Sequence, residues 1–206
     1  IKPNQHVLVA GDGANDIAKQ SGGWTITWQG TELDNSDFPD ATSIYQGIQQ
    51  AVTSNGGSTE LSEKGEWNKK PDVAVVVFGE EPYAEGQGDV ETLGYKGGAT
   101  NDLQLIQKLK AQNIPVVSVF ITGRPLWMNA EINNSDAFVV AWLPGTEGGG
   151  VADVLVADSK GKPRYDFTGR LSFDWPAAEL NAENHDLPVT ANLLQRGQGL
   201  NYGAAE

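Results

Sequence analysis

The chain has 206 residues, 27 of them acidic and 14 basic, and carries a net charge of −13 that repels nucleic acid and anionic lipid alike. Hydrophobic residues make up 39% and charged residues 20%, which allows a packed core and excludes general disorder. There is no Cys, which rules out disulfides, thiolate catalysis and cysteine zinc sites, and no apolar run is long enough to span a membrane.

In chain order, residues 6–11 (HVLVAG) read as a buried strand and residues 14–20 as a short helix closed by Ser21-Gly22-Gly23. Residues 24–28 (WTITW) alternate large and β-branched side chains, which predicts a second strand with Trp24 and Trp28 on one face. Ile44, Ile48, Ala51 and Val52 form one face of a helix over residues 43–52, with Asp40 or Thr42 as its cap. A polar stretch at 54–71 holds one small β-type patch at 59–61. The strongest strand follows at 72–79, where Val73, Val75, Val76 and Val77 suit a parallel sheet covered on both faces. Residues 86–100 form a long glycine-rich loop. A helix at 101–112, strands at 116–121 and 136–143, and a helix near 149–157 complete the regular pattern. This alternation predicts an α/β layered sandwich with a mostly parallel central sheet flanked by helices. Residues 1–176 are expected to form the domain, with 177–206 a polar C-terminal extension packing on it. The opening Ile1-Lys2-Pro3 has no initiator Met and no leader, as expected of a piece of something longer.

Ligands of open α/β sheets collect at the carboxyl ends of the strands. The sharpest candidate is therefore the segment after Val77, where Glu80, Glu81, Glu85 and Asp89 are interleaved with Pro82, Gly86 and Gly88. Crowded carboxylates raise one another's proton affinity, which can keep an acid protonated near neutral pH. The alternative is a solvated acidic loop in a protein that is acidic throughout. Gly11-Asp12-Gly13 invites a nucleotide-binding reading, but Asp16 stands where the fingerprint needs Gly or Ala, and Asp12 and Asp16 would oppose a phosphate. Trp28 at a strand rim can stack on a sugar ring, or both Trp24 and Trp28 can be core residues. Trp127 and Trp142 read as structural, and Arg124 as structural or as the partner of a carboxylate. A Ser-His-Asp triad or a His-rich metal site would have to use His6 or His185, the two histidines of the chain. No metal and no cofactor are expected.

Several segments, in order, resemble one family. Residues 22–30 (GGWTITWQG) resemble the GGWT-x-x-WQG segment of a branch of glycoside hydrolase family 3 that contains β-glucan glucohydrolases and bacterial β-glucosidases. Gly79-Glu80-x-Pro82-Tyr83-x-Glu85-x-x-Gly88-Asp89 resembles that branch's acid/base loop. Residues 122–126 (TGRPL), 142–148 (WLPGTEG), 167–176 (FTGRLSFDWP) and 193–202 (LLQRGQGLNY) resemble later segments of the same family. The resemblance implies the family's C-terminal α/β sandwich, whose partner is an upstream (β/α)₈-type barrel that this chain lacks. It implies that Glu85 is the general acid/base, that Trp28 stacks on the leaving-group sugar, that Tyr83 belongs to the substrate-binding set, and that the nucleophile is an aspartate of the barrel. The implied activity is retaining exo-hydrolysis of β-glucosidic bonds in glucans and oligosaccharides; the alternative is a non-catalytic carbohydrate-binding module. Cysteine absence, acidity and a polysaccharide substrate together suggest a periplasmic or extracellular bacterial protein.

Overall fold

Hydrophobic runs too dense for a one-sided strand build the centre of the protein. In a computed structural model that describes residues 1–97, 101–181, 183 and 192–203, the valine run becomes a strand buried at every position, β3 (Val73–Gly79). It is flanked by β1 (His6–Ala10) and β4 (Val116–Ile121), with β2 (Ser58–Leu61) and β5 (Ala137–Trp142) at the edges. All four pairings are parallel, and Val9 sits opposite Val75, which sits opposite Val117. The helices are α1 (Ile17–Ser21), α2 (Ile44–Ser54), α3 (Asp102–Ala111), α4 (Asn129–Asn134) and α5 (Gly148–Leu155).

Strand alternation sorts the core into two layers. Val7, Val9, Val75 and Val77 pack on Ile44, Ile48 and Val52 of α2 and Val151 and Leu155 of α5. Leu8, Ala74, Val76 and Phe78 pack on Leu105, Ile106 and Leu109 of α3, together with Phe120 and Trp175. Helices α2 and α5 meet backbone to backbone, since a Cβ on Gly47 would lie 2.7 Å from the Gly149 Cα. The α/β sandwich expected from the sequence is therefore the observed fold. A short antiparallel pair, β6 (Trp175–Pro176) and β7 (Asn192–Leu194), joins the chain's tail to the buried Trp175.

Two expectations need correction, one helix was not foreseen, and the doubted nucleotide reading finds no support. Residues 24–28 are not a strand but a tight turn closed by the Trp24 N–H to the Trp28 carbonyl at 2.8 Å, with Trp24 at φ 59° and Ile26 at φ 62°. The cap of α2 is Ser43, not Asp40 or Thr42: its hydroxyl accepts from the Gln46 N–H while the Gln46 side chain accepts from the Ser43 N–H. Helix α4 was not predicted, because its sequence NAEINN carries one large apolar residue, Ile132, and hence no periodicity. The Gly11-Asp12-Gly13 turn opens no phosphate site. Asp16 caps a helix of only five residues, and Asp12 pairs with a lysine.

The sheet order β2-β1-β3-β4-β5 puts a topological switch between β1 and β3, because the chain leaves β1 to one side and returns on the other. The loops following these two strands meet over that crevice.

Candidate active site at the carboxyl ends of β1 and β3

The loop after β3 leaves the sheet at Glu80. The four carboxylates expected to crowd one another are instead dispersed. Glu80 Oε1 takes Arg124 through Nε at 2.9 Å and Nη2 at 2.8 Å, and its Oε2 accepts from the Thr122 hydroxyl at 2.7 Å. Glu81 accepts from Lys19 Nζ at 2.6 Å. Glu85 accepts from the Trp28 indole N–H at 3.1 Å. Asp89 is exposed.

The consequence is a correction of sign. The Glu85 carboxyl is exposed and is held below the usual glutamate range, first by the Trp28 N–H bond and then by a backbone bond, so the free domain carries it as a carboxylate. A depressed folded-state value means this bond supports the folded arrangement above the ordinary glutamate pKa and is lost as pH falls through the folded one. Trp28→Phe keeps an aromatic ring and removes the N–H. Its expected result is an upward move of the Glu85 midpoint in carboxyl-carbon NMR titration of the chain; an unmoved midpoint would refute the indole as the cause.

Arg124 spans the loop. Besides Glu80 it donates from Nη1 to the Gly88 carbonyl at 2.7 Å, and its guanidinium lies 4.2 Å from the centre of the Tyr83 ring. Of the two readings of Arg124, the structure selects the partner of a carboxylate. Tyr83 is half-buried, and its hydroxyl donates to Glu80 at 3.2 Å. Burial, then the Glu80 charge, pushes that phenol up to about 12, so it stays a neutral prop under the loop. The structure thus brings Trp28 and Glu85 into contact and engages the Tyr83 hydroxyl elsewhere.

The loop after β1 and α1 carries Trp24, Ile26 and Trp28, which are 70%, 64% and 56% exposed. Neither tryptophan is a core residue. Their rings stand 6.1 Å apart at 46°. A β-branched residue at positive φ, such as Ile26, is strained backbone of the kind retained where function requires it. The two loops touch through backbone, since a Cβ on Gly23 would lie 2.0 Å from the Tyr83 carbonyl oxygen.

Two residues of this region were not singled out in the sequence. Lys19 is 2% exposed, and its ammonium is held between Asp12 at 3.1 Å and Glu81 at 2.6 Å. A lysine can be buried only with such partners, yet nothing local pairs position 19 with position 81. Gln29 receives the Ala84 N–H at 2.6 Å and donates to the Glu85 carbonyl at 2.9 Å. The histidines contribute nothing here. His6 is buried between Ser58 Oγ at 2.8 Å and Glu60 at 2.9 Å, at the opposite end of β1, and His185 lies outside the described residues. Trp142 packs against Trp175 in the core at 6.3 Å, as a structural residue does, whereas Trp127 is partly exposed.

An exposed carboxyl beside an exposed indole, on braced loops at a sheet's carboxyl edge, is able to exchange a proton next to a surface on which a ring can stack. The family description "Glycosyl hydrolase family 3 C-terminal domain" matches residues 1–202, and the chain belongs to that family. It is 30% identical to the lysosomal beta glucosidase of Dictyostelium discoideum, across 96% of this chain and 26% of that protein. It is 36% identical to the periplasmic beta-glucosidase of Salmonella typhimurium, across 65% of this chain and 16% of that protein. The crystal structure of exo-1,3/1,4-beta-glucanase (ExoP) from a Pseudoalteromonas species matches with 55% identity and a TM-score of 0.91, across 98% of this chain and 25% of that one. The chain therefore spans about a quarter of the length of the first of these relatives and of the glucanase. The beta-glucosidase from Listeria innocua shares the fold, with a TM-score of 0.68 at 20% identity, across 98% of this chain and 30% of that one.

Proposed function

We propose that this chain is the acid/base-carrying domain of a retaining, exo-acting β-glucosidase or β-glucanase, completed by a (β/α)₈-type barrel that supplies the nucleophile. The observation that carries the reading is the Trp28–Glu85 pair, a solvent-facing carboxyl bonded to the N–H of a solvent-facing indole. Residues 1–176 serve as the sandwich and the described residues after 176, namely 177–181, 183 and 192–203, as an extension on it; the rest of the expected 177–206 extension lies outside the described residues. The substrate is a β-glucan or gluco-oligosaccharide, and neither nucleic acid nor membrane is a partner, in keeping with the net charge of −13. A periplasmic or extracellular bacterial location is supported by the Salmonella relative, a periplasmic beta-glucosidase.

In the reaction, a barrel carboxylate attacks the anomeric carbon while Glu85 gives its proton to the departing glycosidic oxygen. Glu85, now ionised, then takes a proton from the water that releases the sugar. In the free domain Glu85 is ionised, so the complete enzyme has to raise its proton affinity. A nucleophilic carboxylate about 5–5.5 Å away, together with exclusion of water at the domain contact, acts in that direction. Trp28 holds the leaving-group sugar in line by stacking, and Tyr83, bonded to Glu80 and lying under the Arg124 guanidinium, serves the substrate site by supporting the loop.

The test compares the isolated chain with the enzyme carrying both domains on an activated aryl β-glucoside. Turnover is expected from the two-domain enzyme and none from the isolated chain. Turnover by the isolated chain would place the nucleophile here and overturn the division of labour. Inactivity of both, with retained binding of gluco-oligosaccharides, would leave the carbohydrate-binding module as the answer.

A further inference from the structure

We infer that Gln29 is the positioning residue that aims Glu85, acting through the backbone of the loop rather than on substrate; this rests on the acid/base reading of Glu85. The Gln29 carboxamide makes a two-point contact. Its oxygen accepts the Ala84 N–H at 2.6 Å and its nitrogen donates to the Glu85 carbonyl at 2.9 Å, so the backbone on both sides of the Glu85 Cα is tied to one carboxamide. The other anchors of the loop are Arg124 at its flanks and short turn bonds. Arg124 fastens Glu80 and the Gly88 carbonyl, the Gly88 N–H reaches the Ala84 carbonyl at 2.7 Å, and a Cβ on Gly86 would meet nothing within 4 Å. Ala84 is the only buried side chain of the tip at 84–86. Besides Gln29, Glu85 is aimed by the exposed Trp28 and Trp24 indoles and by the turn bonds from the Gly88 N–H to the Ala84 carbonyl and from the Asp89 N–H to the Gly86 carbonyl, none of which holds the Ala84 N–H or the Glu85 carbonyl.

Gln29 is itself fixed by its neighbours. The Trp24 N–H to Trp28 carbonyl bond closes the turn before it, and Gly30 follows at φ 76°, where a Cβ would lie 2.3 Å from the Gly22 carbonyl oxygen. The turn that presents Trp28 to solvent is thus the same turn that holds Gln29 against the Glu85 backbone. Sugar platform and proton donor are tied to adjacent residues of one turn, which couples their separation.

The experiment uses the two-domain enzyme with Gln29→Met, which keeps side-chain length and removes both hydrogen-bonding groups. Gln29→Glu, which keeps the acceptor for Ala84 and loses the donor, is the second variant should the first fail to fold. Each is assayed on a β-glucoside with a poor leaving group, such as an alkyl glucoside or a disaccharide, and on dinitrophenyl β-glucoside, alongside Glu85→Gln. A misplaced proton donor is expected to lower kcat on the poor leaving group by about 10²-fold, to change KM little, and to lower the activated substrate's glycosylation rate less than about threefold. An equal fall on both substrates, or a rise in KM alone, would make Gln29 a support of the fold or of the Trp28 platform and overturn the inference; so would no fall on either. If Glu85→Gln itself shows no dependence on the leaving group, the acid/base reading has failed. If Glu85→Gln shows it and the Gln29 variants do not, only the present inference has.

Discussion

Glu85→Gln, made in the enzyme carrying both domains, is expected to reduce kcat on a glucoside with a poor leaving group by about 10²–10⁴-fold, the usual contribution of a positioned general acid. The physical reason is that an alkoxide cannot leave without a proton, and a carboxamide has none to give. A dinitrophenolate leaves unaided, so with that substrate the first step is spared. The second step then becomes slow because no base draws the proton from water. The covalent glycosyl intermediate accumulates and appears as a burst in stopped-flow absorbance. Azide, which needs no general base, is expected to restore turnover. Glutamine keeps the shape of Glu85 and leaves an acceptor oxygen for the Trp28 N–H, now at 3.1 Å, so the loop is not disturbed by the change. Unaltered turnover of a disaccharide by this variant would remove Glu85 from the chemistry.

The second large effect is on stability. Lys19→Met is expected to cost about 3–5 kcal/mol, the cost of breaking a buried pair from one side, and to lower the thermal midpoint by roughly 10 °C at this chain length. Asp12 and Glu81 are not affected equally. The Glu81 side chain is 67% exposed and can return to water, whereas that of Asp12 is 13% exposed and would be left largely desolvated without its cation. The pH dependence follows from the signs. Burial alone would lower the Lys19 value, but the two carboxylates outweigh it and raise it. Lysine's contribution is therefore complete throughout the neutral range and is lost only as pH rises through that raised value. In the variant the unpaired Asp12 resists ionisation, so its penalty is full at neutral pH and vanishes as pH falls to the ordinary carboxylate range. Denaturation midpoints of wild type and variant at neutral and acidic pH check both points. A neutral-pH loss under about 1 kcal/mol, or a gap that widens on acidification, would contradict this account of the triad. Because Glu81 sits at the root of the Glu85 loop, the same lysine also ties the loop to α1.

Much of the fold was legible because it is governed by short-range rules. The valine run of β3, the apolar stripe of α2 at Ile44, Ile48, Ala51 and Val52, and the run in β4 each sit within a residue or two of their expected bounds. The cap of α2 was missed by one position. Ser43 needed its partner Gln46 three residues on, and that pairing, rather than the identity of nearby polar residues, selects the cap. Residues 24–28 misled because β-branched and aromatic side chains record a fit to a pleated, half-buried surface, not a backbone preference in itself. Among the described residues no strand lies alongside to pair with them. The segment must instead turn over the Tyr83 carbonyl with room only for Gly23, and it takes positive φ at Trp24 and Ile26 to do so.

Trp28 and Glu85 were both candidates from their residue types and motifs, yet as separate candidates 57 positions apart. The sequence by itself determined the α/β class, the strand at whose end the acidic loop begins and the family, and it offered Trp28 and Glu85 as the candidates on which the proposed function rests. Only the tertiary structure decided that they touch, that the four carboxylates go to four different surroundings, and that Lys19, Gln29 and Arg124 hold the loop. The reason is the order of the sheet. Strand β2 goes to the edge, β1 and β3 become neighbours, and the loops that leave their carboxyl ends are brought face to face. Periodicity and capping act over a few residues and specify the elements; which elements lie side by side is set by packing both faces of the whole sheet, and no window of the sequence contains it.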